Sequence, residues 1–203
     1  MEEWFRTINN SPVTFNKEEK EVIICPSFTL LPFVKESIVK SQLSIAVGAQ
    51  DISPFDEGAY TGEISAKQIK ELAEYVIIGH SERRKNFLES DEILFKKVEQ
   101  ALQYGLTPIF CVQGKETKVP SNIPIVAYEP IDAIGTGHPD TVENAEDVAS
   151  FFKNNYSVSH VLYGGSVNAE NVSSFTQMPD IDGVLVGKAS LEVLEFLGII
   201  KNA

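Results

Sequence analysis

The chain has 203 residues, of which 43% are hydrophobic, and it carries a formal net charge of −12 at pH 7. This length allows one sizeable hydrophobic core, and no linker-like segment divides it, so we predict a single domain over residues 1–203. The acidic balance argues against nucleic acid or an anionic membrane as a partner, since both attract basic proteins. It does not exclude a small anionic ligand, which backbone amides can hold.

The cysteines and the N-terminus bear on the compartment and on metal binding. No stretch approaches the ~20 apolar residues of a membrane span, and the acidic start MEEWFRTINN does not resemble a signal peptide, so we predict a cytoplasmic protein. Cys25 and Cys111 lie far apart in apolar runs, and the chain has only three histidines. We therefore predict buried, reduced thiols and no metal site.

Seven short runs rich in valine and isoleucine alternate with segments of helical periodicity. In chain order the runs are EVIICP, LSIAVGAQ, EYVIIGH, LTPIFCV, IPIVAYEP, SHVLYGG and DGVLVGK. The clearest helix is predicted over DEILFKKVEQALQYG, behind the N-cap candidate Ser90 and ending at Gly105, where Ile93, Leu94, Val98, Ala101 and Leu102 recur at threes and fours. Alternating apolar strands and helices predict a parallel sheet of βαβ units.

Two architectures fit this alternation: an open doubly wound sheet, or a (β/α)₈ barrel counted one strand short. Chemically capable residues follow almost every strand: Gln50, His80, Gln113, Glu129, Gly164-Gly165-Ser166 and Gly187-Lys188. In an open sheet only the strands at the switch point carry such residues, whereas in a barrel all the loops after the strands meet at one mouth. The pattern favours the barrel.

Glu129 has the sequence context of a general base. It ends an apolar strand, Pro130 follows it, and an apolar segment with Gly135 and Gly137 comes next. A flap of this composition can exclude water from a carboxylate and open for turnover. An isolated glutamate on a solvated loop is the alternative, and the strand–proline–glycine context argues against it.

Two glycine turns predict an anion site. In YGGSVNAENV, Gly164 and Gly165 let the backbone approach a ligand, and Ser166 or Asn168 is predicted to begin a helix whose N–H groups face the anion. DGVLVGKASL repeats the arrangement, with Gly187 just before a helix. Neighbouring turns after the last two strands are the usual phosphate site of barrel enzymes.

His80 ends a strand and precedes SERR, a predicted helix start. A helix N-terminus disfavours the cationic imidazole, so a neutral histidine that donates a hydrogen bond is expected there. A structural histidine within its own loop is the alternative. Glu82, Arg83 and Arg84 are equally consistent with a surface ion-pair cluster, which by itself stabilises little.

The motifs together resemble those of the triosephosphate isomerase family. GAQDISPFDEGAYTGEIS, VIIGHSERR, GLTPIFCV, AYEPIDAIGTG, LYGGSVNAENV and DGVLVGKASL occur in the family's order and cover nearly the whole chain from about Val22. The resemblance implies a TIM barrel and the interconversion of dihydroxyacetone phosphate and D-glyceraldehyde 3-phosphate, with no cofactor and no metal. It also implies a homodimer and a small phosphorylated triose as the substrate.

The resemblance also implies a role for each matching residue. Glu129 is the base that carries the proton between two substrate carbons, His80 is the neutral electrophile, and Glu82 is the carboxylate behind it. The phosphate site comprises Gly135, Ser166, Gly164, Gly165, Gly187 and Lys188. Thr61, Gly62 and Glu63 belong to the loop that inserts into the neighbouring subunit.

The sequence departs from the family in several places. The family's first strand ends in Asn-x-Lys, and its lysine stabilises the charged intermediate, but no such motif occurs here. MEEWFRTINN resembles the helix after that strand, and Lys17 and Lys20 lie in a charged turn. We therefore expect an incomplete barrel with seven strands, the first missing, and one βα unit reduced to a loop after CVQGK. Two strand edges would be left unpaired.

Two further departures fall within the predicted site. Asp132 replaces the family's tryptophan beside the flap, and Lys188 replaces the second glycine of the last phosphate turn. A lysine there either favours a phosphate dianion or obstructs the approach of the backbone. The absent Asn-x-Lys motif and Asp132 leave an alternative to an isomerase, a non-catalytic remnant of the family that binds phosphate or is only structural.

Overall fold

The computed structural model describes residues 1–13, 18–131 and 139–203. Within these ranges the chain alternates parallel strands with helices, as the sequence predicts. The strands are β1 Val22–Ile24, β2 Ile45–Ala49, β3 Tyr75–Ile78, β4 Thr107–Val112, β5 Ile125–Tyr128, β6 His160–Tyr163 and β7 Gly183–Val184. The α-helices are α1 Glu2–Asn9, α2 Leu31–Ser41, α3 Ala66–Lys70, α4 Ser81–Asn86, α5 Asp91–Gln103, α6 Val142–Asn155, α7 Val172–Thr176 and α8 Val193–Asn202.

The chain forms two compact units. We call Phe15–Phe110 the first unit, and Met1–Thr14 together with Cys111–Ala203 the second unit. In the first unit β1, β2, β3 and the start of β4 pair in that order, all parallel. Every residue of β2 is buried, which explains why this strand reads as an unbroken apolar run.

Helix α5 of the first unit begins and ends where the sequence predicts. The Ser90 side chain accepts a hydrogen bond from the Ile93 amide, and Gly105 takes a left-handed φ of +72° just beyond the end of the helix. The buried face consists of Leu94, Lys97, Val98 and Ala101. Ile93 and Leu102, which share the apolar pattern, are 37% and 39% exposed, so the lysine takes a place that periodicity assigns to apolar residues.

In the second unit the end of β4 is followed by β5, β6 and β7 in parallel order. The Glu129 amide donates to the Val112 carbonyl at 2.8 Å, and β6 pairs with β5 and β7. Helix α1 packs against α8 through Trp4, whose ring lies 5.6 Å from Phe196 and whose indole N–H donates to the Ser190 carbonyl. The prediction that the N-terminal segment is helical is confirmed by α1.

The structure confirms the seven predicted strands and the shortened connection between β4 and β5. Residues 113–124 contain turns but no helix, and Asn122 there has a left-handed φ of +64°. Cys111 is buried, Cys25 is half-buried, and neither cysteine forms a disulfide. Within the described ranges, no helix is both long and apolar enough to cross a membrane.

Candidate active site

Glu129 follows β5 directly and is almost completely buried in the second unit, with 1% of its surface exposed. Its amide extends the pairing of β5 with β4, so the sheet holds the backbone of this residue through one hydrogen bond. A buried carboxylate is costly unless other groups compensate it, and such sites are commonly functional. Glu129 therefore has the placement that the sequence predicts for a base.

The glycine pair after β6 lies against Glu129. A Cβ atom on Gly164 would come within 3.0 Å of the Tyr128 carbonyl oxygen and 3.1 Å of the Glu129 Cγ. A Cβ atom on Gly165 would come within 2.1 Å of the Tyr163 hydroxyl. The structure thus brings Glu129, Gly164 and Gly165 together, and the glycines are needed because no side chain fits there.

Gly164→Ala is expected to push Glu129 out of place, because the backbone carbonyl on the other side of the new methyl group cannot yield easily. We expect kcat in an isomerase assay to fall about tenfold to a hundredfold, and the free energy of unfolding to fall by about 1–3 kcal/mol. Gly114→Ala is the matched control, since its new methyl group meets only the flexible end of Glu116. Equal losses in both variants would contradict this explanation.

The turn after Gly165 differs from the sequence prediction. A helix beginning at Ser166 or Asn168 is wrong: α7 begins only at Val172. Side chains of the protein itself take the intervening amides, with Asn168 Oδ1 accepting from Glu170 and Asn171, and Glu195 accepting from Ala169. Asparagine competes with the helix by such local bonds, which shifts the helix start. The Ala169, Glu170 and Asn171 amides therefore bond within the protein and do not face an anion in this arrangement.

Gly187 and Lys188 form the second turn of the second unit. Gly187 precedes a short 3₁₀ helix over Lys188–Leu191, and its carbonyl accepts hydrogen bonds from the Ser190 amide and hydroxyl. A Cβ atom on Gly187 would meet nothing within 4 Å, and Lys188 is exposed. The lysine therefore projects from an open turn rather than filling a packed one.

His80 lies in the first unit, at the N-cap of α4. Its Nδ1 accepts a hydrogen bond from the Glu82 amide at 3.3 Å, which requires that nitrogen to be unprotonated. A neutral ring with this contact has its proton on Nε2. The Glu82 carboxylate is 73% exposed and lies 3.9 Å from Nδ1, so the backbone amide of Glu82 makes the closer contact with the histidine.

Arg84 holds the turn that leads into His80. Its Nε donates to the Gly79 carbonyl at 2.8 Å, and its guanidinium lies over the Phe110 ring. Gly79 has a φ of +78°, and a Cβ atom there would come within 3.0 Å of Arg84. Sequence reasoning missed this positioning function, because a run of charged residues reads equally well as a solvated surface.

A buried charge cluster, which we define as Asp51, Arg83, Glu89 and Lys97, supports the same unit. Lys97 Nζ contacts both Asp51 oxygens at 2.6 and 2.7 Å and Glu89 Oε1 at 2.7 Å. Arg83 Nη2 lies 2.8 Å from each carboxylate. Burial raises the pKa of Asp51, and the Lys97 cation opposes that rise. Arg83, whose side chain is 29% exposed, is therefore partly buried in an ion-pair network with Asp51 and Glu89.

The predicted subunit loop is exposed in the first unit. Thr61, Gly62 and Glu63 are all exposed, and Gly62 takes a φ of +93° in the turn. At the base of the loop the Ser53 amide donates to the Ile64 carbonyl, and the Phe55 and Tyr60 rings stack at 4.3 Å. The loop is thus ordered by its own contacts.

Two predictions of the sequence analysis lie outside the described residues: Gly135 as a phosphate ligand and Asp132 beside the flap. Lys17 lies outside them too. Among the residues that the structure does describe, no three His, Cys, Asp or Glu side chains are grouped as metal ligands would be.

Comparison with known proteins decides the family. A family profile described as triosephosphate isomerase matches residues 1–123 and 115–203. The chain belongs to the triosephosphate isomerase family. The triosephosphate isomerase of Dictyoglomus thermophilum is 41% identical over 218 residues, covering 91% of this chain and 87% of the relative. That of Mesomycoplasma hyopneumoniae is 41% identical over 209 residues, covering 92% and 85%. That of Alkaliphilus oremlandii is 38% identical over 227 residues, covering 95% and 90%.

Membership of the triosephosphate isomerase family confirms the TIM-barrel fold class. The two matched segments overlap at residues 115–123, within the loop between β4 and β5. That loop is where the sequence analysis expects a βα unit to be reduced. The match to the family is therefore divided at the loop in which the structure has turns but no helix.

Proposed function

We propose that this chain is a triosephosphate isomerase that interconverts dihydroxyacetone phosphate and D-glyceraldehyde 3-phosphate without metal or organic cofactor. The observation that carries the proposal is Glu129, a buried carboxylate at the end of β5 with glycine packed against its side chain. A base in such a place removes a proton from the carbon beside the carbonyl and returns it to the neighbouring carbon.

His80 is proposed as the electrophile. Because Nδ1 of the neutral imidazole accepts a hydrogen bond from the Glu82 amide, Nε2–H is left to donate to the carbonyl oxygen of the substrate. This donor stabilises the negative charge that develops on that oxygen. Glu82 contributes mainly through its backbone amide, since its carboxylate is exposed. The ring is then held in one tautomer by the start of α4.

The phosphate of the substrate is proposed to bind at Gly164, Gly165, Ser166, Gly187 and Lys188, with Gly135. Glycine turns let backbone amides approach phosphate oxygens closely. Such amides can hold an anion even though the chain has a net charge of −12. Lys188 adds a cation at an open turn. We propose that this lysine attracts the dianion rather than obstructing it.

Lys188→Gln is expected to raise KM for the phosphorylated triose about tenfold and to leave kcat within twofold, because a charge-assisted contact to a remote phosphate contributes mainly to binding. Lys118→Gln, at another exposed lysine of the second unit, is the control. A lower KM in Lys188→Gly would show that the side chain obstructs the site.

A coupled isomerase assay of the 203-residue chain tests the function. An Asn-x-Lys motif is absent from these residues, and loss of one electrostatic stabiliser typically costs ~10²–10³ in rate. We therefore expect turnover that is lower than that of the relatives by about that factor, but far above the uncatalysed rate. Absence of turnover in a folded chain would overturn the proposal.

The alternative is a protein that binds phosphate without catalysis. Titration of inorganic phosphate into the chain, followed by calorimetry, separates the two. Binding without turnover supports the alternative. Turnover that disappears in Glu129→Gln excludes it.

We further propose that the chain acts as one domain and as a cytoplasmic homodimer. Strand β4 contributes residues to both units, which favours a single cooperative unfolding transition.

The exposed, internally ordered loop around Thr61–Glu63 supports a role in docking to a second subunit. Cys25 and Cys111 form no disulfide, which suits a reducing compartment. Sedimentation equilibrium of the chain beside a Phe55→Ser, Tyr60→Ser variant measures the dimer.

A further inference from the structure

Two tyrosines end the strands that lead into the proposed site. Tyr128 ends β5 immediately before Glu129, and Tyr163 ends β6 immediately before Gly164. Both are buried, at 5% and 1% exposure. The Tyr163 ring stacks on Phe175 at 3.9 Å. The hydroxyls of the two tyrosines converge on one residue outside the strands.

That residue is Asp140. The Tyr128 hydroxyl donates to Asp140 Oδ2 at 3.0 Å, and the Asp140 amide donates to the Tyr163 hydroxyl at 2.8 Å. Asn144 Nδ2 donates to the same Oδ2 at 2.6 Å and to the Tyr128 oxygen at 3.2 Å. We call Asp140, Tyr128, Tyr163 and Asn144 the Asp140 cluster.

Helix capping explains only part of this cluster. Asp140 Oδ1 accepts from the Thr141 amide, and Asn144 lies one turn into α6, so these two contacts belong to the start of that helix. Thr141 already serves as the N-cap, since its side chain accepts from the Asn144 amide. The bonds to Tyr128 and Tyr163 reach 12 and 23 residues along the chain, and a helix start needs neither.

We propose that Asp140 is a positioning residue for Glu129, because its carboxylate fixes the Tyr128 hydroxyl and with it the end of β5. The inference rests on the proposed isomerase function. Successive side chains of a strand point to opposite faces, so an anchored Tyr128 sets the backbone from which Glu129 projects the other way. A displacement of 1 Å at a reacting group costs as much as ~10²-fold in rate.

The chemistry of Tyr128 suits this function. Burial, and after it the hydrogen bond to Asp140, raises the pKa of Tyr128 above that of an ordinary tyrosine, so the hydroxyl keeps its proton and donates a hydrogen bond to the carboxylate. Burial also raises the pKa of Tyr163 to about 12. Both hydroxyls are therefore uncharged throughout the range in which a glutamate base works.

The test measures kcat and KM separately for Tyr128→Phe, Asp140→Ala and the double variant. We expect each single change to lower kcat about tenfold and to leave KM within twofold. Both changes remove the same hydrogen bond. The kcat of the double variant is therefore also expected to be about tenfold lower than that of the unsubstituted chain, and not a hundredfold lower. Thr141→Ala is the control, since it removes the helix cap without touching either tyrosine and is expected to leave kcat unchanged.

Three outcomes would overturn the proposal: kcat of Tyr128→Phe within twofold of the unsubstituted chain, losses that multiply in the double variant, or an equal loss of kcat in Thr141→Ala. If Asp140→Ala fails to fold, the kcat of Tyr128→Phe alone decides: a loss of about tenfold supports the proposal, and a value within twofold of the unsubstituted chain overturns it. An unsubstituted chain that is folded but inactive would instead overturn the isomerase function itself, which distinguishes the two failures.

Discussion

Lys97→Met is expected to lower the free energy of unfolding by about 3–5 kcal/mol, the range typical of a buried ion pair that loses one partner. Lys97 is 3% exposed and contacts both Asp51 and Glu89, whose side chains are 9% and 6% exposed. Without the ammonium group, two carboxylates share one site with only Arg83. Methionine fills a similar volume, so the loss reports the charge rather than a cavity.

Lys96→Met is the matched control for this change. Lys96 is the neighbouring residue of α5, and its ion pair with Glu92 is largely exposed, with side-chain exposures of 51% and 78%. Exposed pairs of this kind contribute little, so we expect no measurable change in urea unfolding. Equal midpoints for Lys97→Met and Lys96→Met would contradict the buried-cluster description. A double change, Lys97→Met with Glu89→Gln, is expected to recover part of the loss, because it removes one of the uncompensated charges.

Glu129→Gln is expected to lower kcat by about 10³–10⁴, because an amide has no basic oxygen with which to accept the substrate proton. The substitution is nearly isosteric, so the chain should still fold. Binding of inorganic phosphate should persist, since the proposed phosphate turns are unaltered. Glu143→Gln, on the exposed first turn of α6, controls for the loss of one acidic residue. Unchanged kcat in Glu129→Gln would show that another group is the base.

The strand positions are the part of the fold that sequence predicts best. Each of the seven apolar runs becomes a strand, because a parallel strand buried on both faces has few polar positions and contrasts sharply with its neighbours. The start of α5 at Ser90 and its end near Gly105 follow from local capping chemistry, which depends on a few adjacent residues.

Long-range polar contacts are the part that sequence does not predict. Lys97 occupies the buried face of α5, and its partner Asp51 lies 46 residues earlier, so neither residue type nor spacing indicates the pair. One signal was available: positions 94, 97, 98 and 101 lie on one helical face, and a lysine among apolar residues there suggests a buried cation. The Asp140 cluster has no comparable signal, since its tyrosine partners lie on different strands.

The candidate site was predicted unevenly, for the same reason. Glu129, Gly164 and Gly165 are grouped in the structure because their strands are neighbours, which the order of the motifs implies. The predicted helix start near Ser166 failed because Asn168 and Asn171 bond locally to the backbone. Such competition between side chain and helix is decided by a few tenths of a kcal/mol to about 1 kcal/mol, which a sequence pattern does not resolve.

Isomerisation in D₂O, followed by proton NMR, tests the central claim that Glu129 moves a proton between substrate carbons. A carboxylate that accepts the proton exchanges it with solvent before returning it, so we predict deuterium at carbon 2 of the glyceraldehyde 3-phosphate formed by the 203-residue chain. We predict neither product nor deuterium above background for Glu129→Gln over the same period. Product without deuterium, or deuterium incorporation that continues undiminished in Glu129→Gln, would contradict the account.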